Sequence, residues 1–273
     1  MPRPAHAQDK QKGKSMVRAF SGVGLSEVPR AVAIGTFDGV HLGHRHLISR
    51  IVASGLVPTV VTFDPHPRLV LGRAVQMIST LSRRLELLEE LGVQDILVIP
   101  FTPTVARQSP PDWIDSVLRP IGTAKVVVGA NFRFGHRACG TVQTLRERGL
   151  EVDQVALQDA ASSTRIRALV DQGDVDSANA LLGRPIEIEG LTSISSQHFS
   201  SQHFSSPHLL LVRDRSTLVP PSGRYRAQTG GTQAEVDLDR TTGRITVWCS
   251  EHLAFRGGTR VQFQLCARQT RWA

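Results

Sequence analysis

The 273-residue chain predicts an α/β fold: a parallel sheet with helices on both faces, then a smaller antiparallel β-barrel-like unit. Two observations carry this. Apolar β-type runs alternate with helical patterns from Arg30 to about residue 157. Beyond Pro185 the helical periodicity stops, and short β-type runs follow one another between turn signals.

The first part reads as strands over residues 31–34, 58–63, 95–101, 125–128 and 152–157. Helices fall between them over 44–53, 80–91, 112–118 and 142–148. The second is the clearest, placing Leu81, Leu85, Leu88 and Leu91 on one face and Arg83, Arg84, Glu86 and Glu90 on the other. Ser162 is the predicted N-cap of a helix reaching Val170, and residues 173–182 form another short one. Strands over 208–212, 223–227, 234–238, 245–249 and 260–265 make the antiparallel unit. Strands alternating with helices give a sheet buried on both faces, and such sheets bind ligands beyond their C-terminal strand ends. The turns after Ile34, Phe63 and Val128 lie on that edge.

Composition excludes several classes. Hydrophobic content of 40% and charged content of 21% are ordinary for a globular protein. No apolar run approaches the ~18 residues of a membrane span, so no membrane partner is expected. Cys139, Cys249 and Cys266 lack paired spacing, which argues against a disulfide framework or a zinc site and points to a reducing cytoplasm. The net charge of +8 is spread as +3 over residues 1–15, +2 over 16–185 and +3 over 186–273. Without a concentrated patch, nucleic acid is not an expected partner. Residues 1–15 read as a disordered basic leader, with Met16 a second candidate start, ahead of a first domain over 16–185 and a second over 186–273. Residues 195–208 carry a Ser-Ser-Gln-His-Phe tandem repeat, read as a loop or linker.

The stretch Gly35-Thr-Phe-Asp-Gly-Val-His-Leu-Gly-His44 carries the most chemistry. A strand stopping at a glycine-punctuated turn brings backbone N–H groups and a helix N-terminus to one point, an arrangement suited to phosphate. His41 and His44 add two imidazoles there. Gly35, Gly39 and Gly43 stand where backbone approaches a ligand closely. Zinc needs a third protein ligand, which the pattern lacks, so no metal site is assigned; a purely structural pair is the other alternative. Thr62-Phe-Asp-Pro-His-Pro67 reads either as a rigid strand exit or as a pocket wall. In Gly129-Ala-Asn-Phe-Arg-Phe-Gly-His-Arg137, Phe132 and Phe134 either cap the core or, with Asn131 and Arg133, line a pocket for a planar ring and phosphates. Ser162-Ser-Thr-Arg-Ile-Arg167 is either a capped amphipathic helix or a cradle for triphosphate oxygens.

In this order on successive strand-to-helix junctions, the four blocks resemble the nucleotidyltransferase domain of the bacterial bifunctional riboflavin kinase/FAD synthetase family. The resemblance covers about residues 16–185, including Leu182-Gly-Arg-Pro185. Glycerol- and choline-phosphate cytidylyltransferases share the HxGH element but lack the Asn-Phe-Arg-Phe-Gly block. The resemblance implies a Rossmann-like domain that transfers AMP from ATP to FMN with Mg²⁺. By resemblance, His41 and His44 are catalytic, and Gly35, Thr36, Phe37, Asp38, Gly39, Gly43, Ser163, Thr164 and Arg167 bind the nucleotide. Phe63, Pro65, His66, Asn131, Phe132, Arg133 and Phe134 are the implied flavin-binding residues.

Departures from the family pattern matter as much. Ala130 stands where the block often has an acid, and Ala160 where a cation commonly precedes Ser-Ser-Thr. These changes leave room for another phosphorylated acceptor, or for a regulatory protein that binds without turnover. In the second domain, Gly190-Leu-Thr-Ser-Ile194 and the repeat replace the family's Pro-Thr-Ala-Asn element. Val219-Pro-Pro-Ser-Gly-Arg-Tyr225 and Glu251-His-Leu-Ala-Phe255 still echo its barrel. The family's catalytic glutamate falls beyond Ala273. The expectation is therefore a barrel remnant without riboflavin kinase activity.

Overall fold

The computed structural model describes residues 16–19, 28–156, 161–192, 209–212, 216–249 and 260–268. The expected leader, the 195–208 repeat, the 251–255 echo and Ala160 lie outside them.

Six strands form the sheet: β1 (Met16–Ala19), β2 (Arg30–Ile34), β3 (Val57–Asp64), β4 (Asp95–Pro100), β5 (Thr123–Gly129) and β6 (Glu151–Val155). Their order is β1-β4-β3-β2-β5-β6, and every neighbouring pair is parallel. The order reverses between β2 and β5, which makes their C-terminal ends the expected ligand crevice. The helices are α1 (Leu42–Val52), α2 (Pro67–Val70), α3 (Leu81–Glu90), α4 (Pro103–Ala106), α5 (Pro110–Trp113), α6 (Val142–Glu147), α7 (Ser163–Gln172) and α8 (Val175–Leu182). The expected 112–118 helix starts earlier, as α5, and continues as a π-helical turn, Ile114–Leu118.

Strand β2 is buried along its whole length, and its side chains alternate between two cores. Ala31 and Ala33 join Ile48 and Ile51 of α1 and Leu87 and Leu88 of α3. Val32 and Ile34 join Trp113, Ile114, Leu118 and Leu145 on the other face. Both faces are thus covered by helices. The structure corrects the expected α3 surface. Arg84 is only 1% exposed, lying inward where the helical pattern put it outward. Its Nη1 donates to the Thr36 carbonyl at 2.8 Å and its Nη2 to that of Phe63 at 3.2 Å. Carbonyls at two strand ends are buried acceptors that make an inward arginine tolerable.

Strands β7 (Ile186–Thr192), β8 (Leu209–Val212), β9 (Gly223–Thr229), β10 (Thr232–Asp239), β11 (Arg244–Cys249) and β12 (Arg260–Arg268) close into an antiparallel barrel, β10-β11-β8-β7-β12-β9. Tyr225, Val236, Leu238, Ile245, Val247, Phe263 and Leu265 fill its core together with Ile166 and Val170 of α7 and Ala178 and Leu182 of α8. Sheet-side helices and barrel therefore share one hydrophobic cluster. Asn179 of α8 ties them further. Its Nδ2 donates to the Leu265 carbonyl at 2.9 Å, and its Oδ1 accepts from the Ile186 amide at 2.7 Å. Asn179→Ala strands both backbone groups, and should lower unfolding free energy by about 2–4 kcal/mol, measured by urea unfolding.

Candidate active site

A turn over residues 35–41 follows β2. Gly35 and Thr36 open onto a cleft, while Phe37 and Asp38 turn inward and are fully buried. Gly39 has φ +77°, and a Cβ there would meet Ile78 Cγ2 at 2.7 Å, so only glycine fits. Asp38 accepts from the Ile78 amide at 2.9 and 3.1 Å through its two oxygens, and from the Ser79 amide at 3.2 Å. Arg167 of α7 donates to Asp38 Oδ2 through Nη2 and to the Gln76 carbonyl at 2.8 Å through Nε. Burial raises the Asp38 carboxyl above its ordinary value, while Arg167 and the two amides pull it back. Asp38 and Phe37 therefore brace the turn: the Asp38 carboxylate is engaged by a cation and two amides, and Phe37 packs in the core.

His41 is the N-cap of α1, its Nδ1 accepting from the His44 amide at 3.4 Å. His66 caps α2 in the same way, accepting from the Arg68 amide at 3.1 Å. A cap that accepts through Nδ1 leaves the proton on Nε2, so each imidazole keeps an N–H donor there. The His41 and His44 rings stack with centroids 3.6 Å apart, and His44 Nδ1 is buried without a partner. Burial, reinforced by the Arg167 charge, lowers His41 to about 4. Burial and the charges of Arg167, Arg68 and Arg84 lower His66 to about 4. His44 lies well below its ordinary value through burial, His41 and Arg84. All three are neutral near pH 7.

The α7 N-terminus meets this turn. A Cβ at Gly43 would sit 3.2 Å from the Ala161 carbonyl, so the glycine lets the two segments touch. Ser162 caps α7, and the Ser163 hydroxyl donates to the Asp38 carbonyl at 3.1 Å. Ser163, Thr164 and Arg167, on the first turns of α7, thus stand beside the turn that carries His41. Arg167 is largely committed to the protein, and its Nη1 takes no part in the bonds just described.

The cleft, about 1140 Å³, opens beyond β2, β3, β4 and β5. Its floor is a chain of rings. Phe101 meets Phe63 edge-on at 5.6 Å, Phe63 and Trp113 are 6.5 Å apart, Trp113 and Phe134 5.5 Å, and Phe134 stacks on Phe132 at 5.5 Å. Asn131 lies at one lip, and Arg68, Arg73, Arg107, Arg133 and Arg137 surround it, with no carboxylate among the described lining residues. An apolar floor with a cationic rim suits a planar aromatic ring carrying phosphate. Phe63, Asn131, Phe132, Arg133 and Phe134 line the cleft. Pro65 and His66 are not among its lining residues, and His66 is engaged in capping α2. Sequence reasoning did not single out Phe101, Trp113 or the other four arginines, which come from short helices and connecting segments with no sustained periodic signal.

The FAD synthetase family profile matches residues 26–166. The chain belongs to the FAD synthetase family. It is thereby an enzyme of the nucleotidyltransferase class. It is 33% identical over 216 residues to the bifunctional riboflavin kinase/FMN adenylyltransferase of Bacillus subtilis, covering 73% of this chain and 68% of that one. It is 33% identical over 179 residues to the protein of the same name from Listeria monocytogenes, covering 60% of this chain and 57% of that one. It is 30% identical over 174 residues to a Listeria FAD synthetase, covering 59% and 71%. A Streptococcus pneumoniae crystal structure described as a macrolide-efflux protein superposes with a TM-score of 0.75 at 22% identity, over 89% of this chain and 87% of that one. That likeness bears on the fold alone.

The depressed histidines make stability acid-sensitive. Their folded values lie below the unfolded 6.5, so the unfolded chain takes up protons first. Their contribution is complete above about pH 6.5 and is lost as pH falls through about 4. His41→Asn and His66→Asn, which keep a capping acceptor, should each remove about 2–3 kcal/mol of the destabilisation between pH 7 and pH 4.5, read from urea midpoints.

Proposed function

We propose that the chain transfers the adenylyl group of ATP to FMN, giving FAD and pyrophosphate. The observation that carries this is the junction of two half-sites at the β2–β5 switch point: a ring-floored cleft edged by arginines, and a donor array built from His41, His44, Ser163, Thr164 and Arg167. The cleft holds the flavin ring, and its arginines draw the FMN phosphate to the strand ends. The FMN phosphate oxygen forms a bond to the α-phosphorus of ATP. The bond from that phosphorus to the bridging oxygen breaks, and its electron pair leaves with pyrophosphate.

The protein's share is alignment and electrostatic stabilisation. His41 Nε2–H donates to the α-phosphate oxygen as its charge grows. His44, stacked beneath, keeps that ring in place. Ser163, Thr164 and Arg167 Nη1 receive the remaining phosphates at the start of α7. A bound polyphosphate places negative charge beside these neutral imidazoles and so opposes the burial and guanidinium charge that lower them in the free protein. Mg²⁺ enters as part of the Mg·ATP substrate. Among the described residues no three His, Cys, Asp or Glu side chains cluster to hold a metal, and polyphosphate oxygens suit this hard cation.

The barrel does not phosphorylate riboflavin in this reading, because the sequence lacks the Pro-Thr-Ala-Asn element. The expected outcome with Mg·ATP and FMN is stoichiometric FAD and pyrophosphate. His41→Ala should lower kcat by about 10²–10³, and riboflavin with Mg·ATP should yield no FMN. ATP turnover only with a different phosphorylated acceptor would support a remodelled pocket beside Ala130. Tight binding with no turnover of any acceptor would point to a regulatory protein.

A further inference from the structure

The barrel reaches the turn after β2 along two routes that meet. The first is residues 76–79, the segment whose amides hold Asp38. The Met77 amide donates to the Ser216 carbonyl at 2.8 Å, and the Leu218 amide donates to the Met77 carbonyl at 2.7 Å. Barrel-side backbone thus runs parallel beside the strap that grips the turn. The second is the β10–β11 hairpin tip. Arg240 Nη2 donates to Asp171 Oδ1 of α7 at 2.6 Å and to Gln76 Oε1 of the strap at 3.4 Å. Asp171 lies one helical turn after Arg167, on the same face of α7. The Gln76 carbonyl in turn accepts from Arg167.

We propose that Arg240 is a positioning residue for adenylyl transfer: it clamps the strap to α7 and so holds together both arms of the grip on Asp38. One arm is the Ile78 and Ser79 amides, the other the Arg167 guanidinium. A shift between them by a fraction of an ångström moves the turn that ends in His41. Such a shift changes alignment at the α-phosphorus more than it changes binding.

The hairpin tip is built to hold its position. Asp239 accepts from the Thr241 and Thr242 amides at 2.9 and 3.2 Å and from the Thr242 hydroxyl at 2.6 Å. The Arg240 amide donates to Ser222 Oγ at 3.0 Å. Arg240 therefore leaves a fixed backbone and spans two elements of the other unit. This gives the barrel a function in the transfer reaction itself, and it rests on the adenylyl-transfer reading above.

The test uses the full chain with Arg240→Ala and, as a second exposed change, Asp171→Asn. Amide exchange at Ile78 and Ser79 is read by hydrogen–deuterium exchange, and FAD formation by steady-state kinetics. The expected result is exchange at those amides about tenfold faster in both variants, with Val236 and Ile245 unchanged. The kcat for FAD should fall about three- to tenfold, with KM values for ATP and FMN within twofold, and Arg240→Lys should recover part of it. Unchanged exchange overturns the proposal, whatever happens to kcat. Faster exchange with unchanged kcat overturns it too. If the unaltered protein makes no FAD, the adenylyl-transfer reading fails by itself, and Arg240 then has no part in transfer.

Discussion

Asp38 is fully buried, and a carboxylate survives there because Arg167 and the amides of Ile78 and Ser79 converge on it. Removing one partner from a buried pair typically costs about 3–5 kcal/mol, since the other charge is left unsatisfied. The consequences reach beyond stability. These contacts join three segments distant in sequence: the turn after β2, the strap before α3 and the helix α7. The donors proposed to face phosphate stand on two of them, His41 at the end of the turn and Ser163, Thr164 and Arg167 on α7. Their mutual position is therefore set by a buried group that braces both segments.

The same economy governs the histidines. Each of His41 and His66 accepts a backbone N–H through Nδ1, and that bond both caps a helix and fixes the proton on Nε2. Capping, orientation and tautomer come from one contact. Neutrality follows from burial and from nearby guanidinium groups. Fixed cations thus stand at the cleft rim, and uncharged imidazole N–H donors stand at the N-termini of α1 and α2. That division suits a reaction in which negative charge arrives with the substrates and shifts toward the leaving group.

Much of this was legible in the sequence. The alternation of β-type and helical runs located β2 to β6 and the helices α1, α3, α6, α7 and α8 within a few residues, because side-chain period reports burial directly. Two strands escaped. Met16–Ala19 is a four-residue edge strand too short to show a period, and in Ile186–Thr192 the alternation lasts only four residues before Gly190 interrupts it. Arg84 defeated the helical pattern because its acceptors, the Thr36 and Phe63 carbonyls, exist only once the strands are assembled. Asp38 and Phe37 sat in a motif that points to phosphate, yet motif spacing does not say which side chains turn inward. Trp113 and the Arg68, Arg73, Arg107 and Arg137 rim lie on separate short helices and connections, and only the sheet's C-terminal edge brings them together.

The central claim, that Asp38 organises the site without contacting substrate, is tested most directly by Asp38→Asn with two readouts on the same sample. The amide keeps the shape but turns an N–H toward Arg167, so the grip on the turn should loosen. The account predicts that FAD formation falls by at least tenfold while FMN affinity, followed by flavin fluorescence, stays within about threefold because the ring-floored cleft is unaltered. Full adenylyl transfer by the variant would contradict it.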